Sequence, residues 1–237
     1  METHIVHLWK DAMNRNGSAG NLLCLRRRLE WRDIAVTVRE VAVGEAVELS
    51  DCDLLYLGAG APYENPSLLS ALAEAAPALR AYVEDGGAFL AVCEGMELMG
   101  KSVTLPGGQV IPGAGAADFT TVYKDRRAGN LVFSRGGARM AAFENHAGRI
   151  ALGHDVQPLG EVRVGSGNGE GNSVGLRYRN FYGCPAYSLL PLNPELADEI
   201  LLSALERRYG GLELAALDDH LEDMARQRLL RRVDKEA

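Results

Sequence analysis

An excess of basic charge, paired cysteines and long apolar runs are all missing from this sequence. Its 25 Lys and Arg are outnumbered by 32 Asp and Glu, for a net charge of −7. That balance argues against nucleic acid or an anionic membrane as the main partner. No stretch approaches the roughly 20 apolar residues of a membrane span. The opening "METHIVHLWKD" enters a strand-like pattern at once, so no signal peptide is expected and the chain reads as cytoplasmic. The four cysteines (Cys24, Cys52, Cys93 and Cys184) are far apart and form no C-x-x-C, so neither a zinc-site spacing nor a disulfide framework is suggested. The Gly-rich stretches "GAGAP" and "GSAGN" lack the G-x-x-x-x-G-K-[ST] pattern of a phosphate loop, and nucleotide binding is not expected. No linker or internal repeat interrupts the chain, which points to one main α/β unit.

The first half alternates strand and helix patterns. "HIVHLW" and the alternating "IAVTVREV" read as strands, and the continuous apolar "DLLYLG" reads as a central strand buried on both faces. A helix is expected from about Asn21 to Arg32. A second should start at Asn65-Pro66, an N-cap followed by proline, and should break or kink at Pro77. This strand, loop, helix order predicts a parallel sheet with helices on its faces. The middle of the chain is different: short β-rich pieces separated by Gly-rich turns predict an antiparallel extension, with "GSGNGEGN" as an exposed flexible loop. Asn193-Pro194 should cap a late helix with Leu196, Ala197, Ile200, Leu201, Ala204 and Leu205 on one face. A last helix, about Leu214 to Arg232, would carry a stripe of Leu214, Leu217, Leu221 and Met224 packed on the body or on a partner chain. Residues 1–210 would form the main domain and 211–237 a C-terminal helical extension.

Chemistry concentrates in "GGAFLAVCEGMELMG". A buried strand stops at Cys93 and gives way to a short helical segment, the arrangement that presents a nucleophile at a strand-to-helix turn. A thiolate there would be favoured by the backbone N–H groups of the turn. The N–H of Glu94 could supply half of an oxyanion hole. The loop "LGAGAP", through Ala59 and Gly60, could supply the other half. Gly95 would allow close packing of the turn. On this pattern alone, a reactive Cys93 and a buried structural one both remain open.

Longer segments carry a resemblance. "VCEGMELMGKSVTLPGGQVIPGAGAADFTT" resembles the cysteine-elbow region of class I glutamine amidotransferases of the cobyric-acid-synthase-like group (CobB/CobQ-like). "NGSAGNLLCLRRR", "DCDLLYLGAG", "KDRRAGNLV", "AFENHAGRI" and "LLPLNPELADEILLSALERRYG" follow in that family's order and spacing. The resemblance implies a flavodoxin-like α/β fold, mostly parallel with an antiparallel extension and C-terminal helices. It implies glutamine as substrate, Cys93 as nucleophile, and Arg126 (or the adjacent Arg127) as the residue holding glutamine. It is strongest to the glutaminase subunits that feed ammonia to a MurT-like Mur-ligase subunit, which holds the ATP site. No cofactor or metal is implied for this chain.

Three positions depart from the family pattern. Its catalytic histidine falls, in "GCPAYSLLPLNP", on Tyr187. A phenol with a reference pKa of about 10 is a poor base for a thiol near 8.5. Glu97 replaces a glutamine four residues after the nucleophile, where its carboxylate would repel a substrate carboxylate and attract an ammonium. Ser18 replaces an aspartate in the early loop. His146, in "FENHAGRI", stands where the family also has a histidine and reads as structural or substrate-side. A catalytically impaired subunit with a structural or regulatory role, and a cobyric-acid-type amidotransferase, are the alternatives.

Overall fold

The computed structural model describes residues 1–169 and 171–236. The first half lays down β1 (Glu2–Leu8), α1 (Ala19–Glu30), β2 (Ala35–Val41), β3 (Leu54–Leu57), α2 (Pro66–Glu84), β4 (Ala88–Val92) and the single turn α3 (Glu94–Glu97). Short strands β5 (Ser102–Thr104) and β6 (Val110–Pro112) lead into a long hairpin of β7 (Phe119–Arg135) and β8 (Ala138–Leu152). Then come β9 (Gly160–Val164), β10 (Ser173–Val174), β11 (Leu176–Tyr178), β12 (Phe181–Cys184), α4 (Pro194–Tyr209) and α5 (His220–Glu236).

The main sheet has the order β11-β12-β4-β3-β1-β2, with β11 antiparallel to β12 and the other pairings parallel. Its central strands are apolar at every position because both faces are covered. Leu55, Leu57, Phe89 and Ala91 pack with α2 residues Leu68, Leu72, Leu79 and Val83. Their sequence neighbours Leu54, Tyr56, Leu90 and Val92 pack on the other face with Leu25 and Leu29 of α1 and Ile200 and Leu205 of α4. All six apolar residues expected on one face of α4 are buried.

The expected antiparallel extension is a separate six-stranded sheet built around β7, which pairs antiparallel with β8 and β9 but parallel with β5. Gly136 and Gly137, at φ +55° and +83°, close the β7–β8 hairpin in the doubly left-handed turn that only such residues adopt without strain. The ladder breaks between Tyr123 and Arg127, and the intervening bulge carries Arg126.

Four local expectations need correction. Helix α2 runs unbroken through Pro77, because Pro77 and Ala73, whose carbonyl loses its partner, both lie on the exposed face. Asn65 accepts from the Leu68 N–H and caps α2, but the Asn193 side chain does not cap α4; it is bonded to both the N–H and the carbonyl of Ala141. In the Gly165–Asn172 loop, Asn168 is fully buried and donates to the Gly175 carbonyl, so this part is not a free loop; Glu170 lies outside the described residues. Finally, α5 begins at His220, and its packed side is Leu229, Leu230 and Val233 against Val132 and Ala141 of the hairpin. Leu221 and Met224 face solvent; the residues before His220 are not helical and are tied to α1 through Arg28 to Asp219 and Arg32 to the Ala215 carbonyl.

Candidate active site

Cys93 sits at the carboxyl end of β4, between β3 and β12. Its φ of +51° and ψ of −127° form a backbone conformation that a side-chain-bearing residue rarely adopts, and the Cys93 N–H is spent on the Cys184 carbonyl of β12 (2.9 Å). This strain turns the chain sharply into α3. An added Cβ on Gly95 would stand 2.3 Å from the Gly58 carbonyl, so only glycine lets the Leu57–Pro62 loop pack against the turn. The expected juxtaposition of elbow and loop is present.

The thiol is 1% exposed. Burial pushes its pKa well above the usual cysteine value, the nearby Glu94, Cys184 and Glu97 push it further, and the neighbouring Tyr187 hydroxyl offsets only part of the rise. One helical turn contributes little dipole, so the elbow as it stands holds a neutral thiol. The other cysteines are also shifted up by burial, to about 12 for Cys24 and Cys184 and about 11 for Cys52. Cys52 and Cys184 are buried core residues, and Cys24 is partly buried against the core.

Tyr187 is brought to the nucleophile, as its position in the sequence predicts. Ala59, Cys93 and Tyr187 form a small buried cluster. Residues before Tyr187 run beside β8, with Glu144 and Ala186 bridged and the Tyr187 N–H donating to the Phe143 carbonyl. Asn21 fixes the segment from the other side. It donates to the Tyr187 carbonyl (2.6 Å) and accepts from the N–H groups of Leu189 and Leu190 (3.0 and 2.9 Å). The Tyr187 hydroxyl donates to the Asn145 carbonyl, and burial with the neighbouring Glu94 and Cys93 pushes its pKa up to about 12. At neutral pH it is a proton donor and not a base.

Glu97 is fully enclosed. Its Oε2 accepts from the hydroxyls of Tyr63 (2.7 Å) and Tyr123 (2.8 Å), and its pKa is raised by burial despite those bonds and the attraction of His146 and Arg126. Arg126 projects from the bulge of β7 onto Asn145 Oδ1 (2.7 Å) and reaches the Tyr187 hydroxyl, whereas Arg127 bonds Ser166. Of the two arginines, Arg126 faces the site. His146 is buried with Nδ1 on the Gly148 carbonyl (3.1 Å) and Nε2 on Glu144 (3.4 Å), so both ring nitrogens are engaged away from the thiol. Among the described residues no cluster of His, Cys, Asp and Glu could hold a metal ion.

One oxyanion donor needs correction. The Ala59 N–H is taken by Ser18 Oγ (3.2 Å), so the residue replacing the early aspartate has captured it. Glu94 and Gly60 remain. Sequence reasoning also missed Tyr63, Tyr123, Asn145 and the fixing role of Asn21. Tyr63 directly follows "GAGAP", which was the available signal; the others come together only through the second sheet and the late loop.

The fold and the cysteine elbow define a class I amidotransferase scaffold, and the sequence agrees: the chain belongs to the CobB/CobQ-like glutamine amidotransferase domain family, whose model matches residues 4–187. Among curated proteins it is similar to the GatD subunit of the glutamine-hydrolysing lipid II isoglutaminyl synthase of Staphylococcus aureus (strain N315), at 33% identity over 99% of this chain and 98% of the relative. The GatD subunit of Streptococcus pneumoniae (strain ATCC BAA-255 / R6) is 30% identical over 93% of this chain and 87% of the relative. A solved glutamine amidotransferase shares the fold, with a TM-score of 0.60 and 16% identity over 84% of this chain and 98% of that one.

Proposed function

We propose that this chain is the amidotransferase subunit of a two-subunit ligase that amidates the D-glutamate of the lipid II stem peptide. Glutamine would be hydrolysed at Cys93, and the ammonia passed to a MurT-like Mur-ligase partner that activates the acceptor with ATP. Likeness to two GatD subunits along almost the whole chain supports the partner and acceptor. No helix among the described residues is long and apolar enough to cross a membrane, and a cytoplasmic setting goes with this reading.

The observation that carries the catalytic part is the positive φ of Cys93, a strained backbone kept where family chemistry needs a projecting thiol. In the reaction the Cys93 sulfur gives up its proton as it attacks the carboxamide carbon, and the tetrahedral oxyanion is held by the N–H groups of Glu94 and Gly60. That proton ends on the leaving nitrogen, the C–N bond breaks to release ammonia and leave the glutamyl thioester, and water cleaves the thioester to glutamate and returns the thiol its proton. Tyr187, protonated and beside the thiol, would serve the proton-donating step, and Arg126, which reaches the Tyr187 hydroxyl, would take the substrate's α-carboxylate.

A second reading is a subunit that keeps fold and partner but does not hydrolyse glutamine. The neutral thiol and a phenol in place of an imidazole favour it. Glutamate release by the purified chain with its Mur-ligase-like partner separates the two. The proposal expects release that Cys93→Ala abolishes. Release surviving that substitution removes Cys93 as nucleophile, and none from the wild-type pair supports the second reading.

A further inference from the structure

Two backbone donors remain at the elbow, and both have an occupant from the chain itself. The Cys93 N–H is bonded within the sheet and the Ala59 N–H is held by Ser18. The Gly60 N–H donates to Glu94 Oε2 at 3.4 Å, and the Glu94 N–H bonds its own carboxylate. The Glu94 carboxylate thus takes both N–H groups that a tetrahedral oxyanion would need. The long Gly60 bond makes this a loose occupant, displaceable by rotation of one side chain.

We infer that the Glu94 carboxylate fills the oxyanion hole in the resting chain, so that glutamine hydrolysis waits on its displacement. This rests on the reading of Cys93 as a glutaminase nucleophile. Glu94 is surrounded by Cys93 and Glu97 on its own turn, Tyr123 and Arg126 from β7, and Tyr187 from the late loop. Its largest perturbation is burial, the next is Glu97, and together they push it up to about 7. Protonation or a nearby substrate ammonium would weaken its hold on the two N–H groups, and so would a partner that draws the side chain outward. The occupant is the residue that this sequence places directly after its nucleophile.

The structural test follows the backbone amide resonances of Gly60 and Glu94 in the full chain from about pH 5.5 to about pH 8.5. Both are expected to move on one curve that persists in Glu97→Gln and is lost in Glu94→Gln. A Gly60 amide that does not titrate, or titrates unchanged in Glu94→Gln, overturns the inference. The functional test measures glutamate release with the Mur-ligase-like partner, where Glu94→Ala should exceed wild type by about tenfold or more. Wild-type release that Glu94→Ala leaves unchanged or slows also overturns the inference, while the glutaminase reading stands. If wild type, Glu94→Ala and Glu94→Ala/Tyr187→His all release nothing while Gly60 titrates as expected, the glutaminase reading falls and the occupied hole stands.

Discussion

Two sets of buried charge in this molecule are arranged in opposite ways. Between α1, α4 and the chain leading to α5, Arg28 is 1% exposed. It forks onto Asp198 (2.6 and 2.8 Å) and Asp219 (2.5 and 3.0 Å), with Arg32 adding a second guanidinium to Asp198. Burial raises the Asp198 pKa, but the bonds from Arg28 and Arg32 outweigh it and hold the carboxyl below its ordinary range. At the elbow, Glu94 and Glu97 are buried side by side with hydroxyl and amide donors, and both shift upward. The same functional group moves in opposite directions because Asp198 is bonded directly by two guanidiniums, whereas at the elbow burial outweighs the attraction of Arg126 and His146. Paired charge fixes where the C-terminal segment joins the body. Unpaired acid, which folding alone would not retain, gathers where chemistry is expected.

Breaking the paired side should have the largest effect. Arg28→Leu leaves Asp219 without its partner and should cost about 3 kcal/mol in denaturant unfolding. A loss well below that would show that water takes over the guanidinium's role.

The elbow should respond with the opposite sign. The Glu94 pKa is higher folded than unfolded, so the folded chain binds more protons between about pH 4.5 and about pH 7, and its stability falls as pH rises through that window. Glu94→Gln should therefore match wild type near pH 4 and be more stable by roughly 2 kcal/mol at pH 8. Urea titrations at both pH values measure the difference. A variant less stable than wild type at pH 8 but not at pH 4 would mean that the carboxylate is paired after all.

The smallest effect marks the outer limit of the comparison. Arg139 and Asp234 form a bidentate pair between β8 and α5 with both side chains about half exposed. Water solvates both ions without the pair. Arg139→Ala is expected to leave the thermal unfolding midpoint unchanged within error.

Much of this division could be read from the order of residues. Local patterns carried the main sheet: continuous apolar strands, Asn65-Pro66, and the apolar set of α4 from Leu196 to Leu205. The elbow was legible because Gly95 and the end of an apolar strand stand next to Cys93 in the chain, and Tyr187 because the family's late segment could be aligned to it. The lost oxyanion donor was not legible. Ser18 and Ala59 lie 41 positions apart, and only the fold brings that hydroxyl to that amide. Nor does periodicity reveal which side of α5 packs: Leu229, Leu230 and Val233 meet the β7–β8 hairpin, which only the fold brings there. The acidic pocket required Tyr63, Glu97 and Tyr123, each from a different element.

The fixing of Tyr187 by Asn21 spans 166 residues and gives the site an order of assembly. Contacts so far apart in sequence close late. The strained turn at Cys93 is shaped by β4 and the Gly58 loop, whereas the bond from its N–H to Cys184 and its cover by Tyr187 both wait for β12 and Leu189-Leu190. A chain emerging from the ribosome therefore displays its thiol before it can hide it. Buried in the finished protein, the sulfur is shielded from oxidants by the last third of the sequence, and that shield is the part of the site where this chain carries tyrosine.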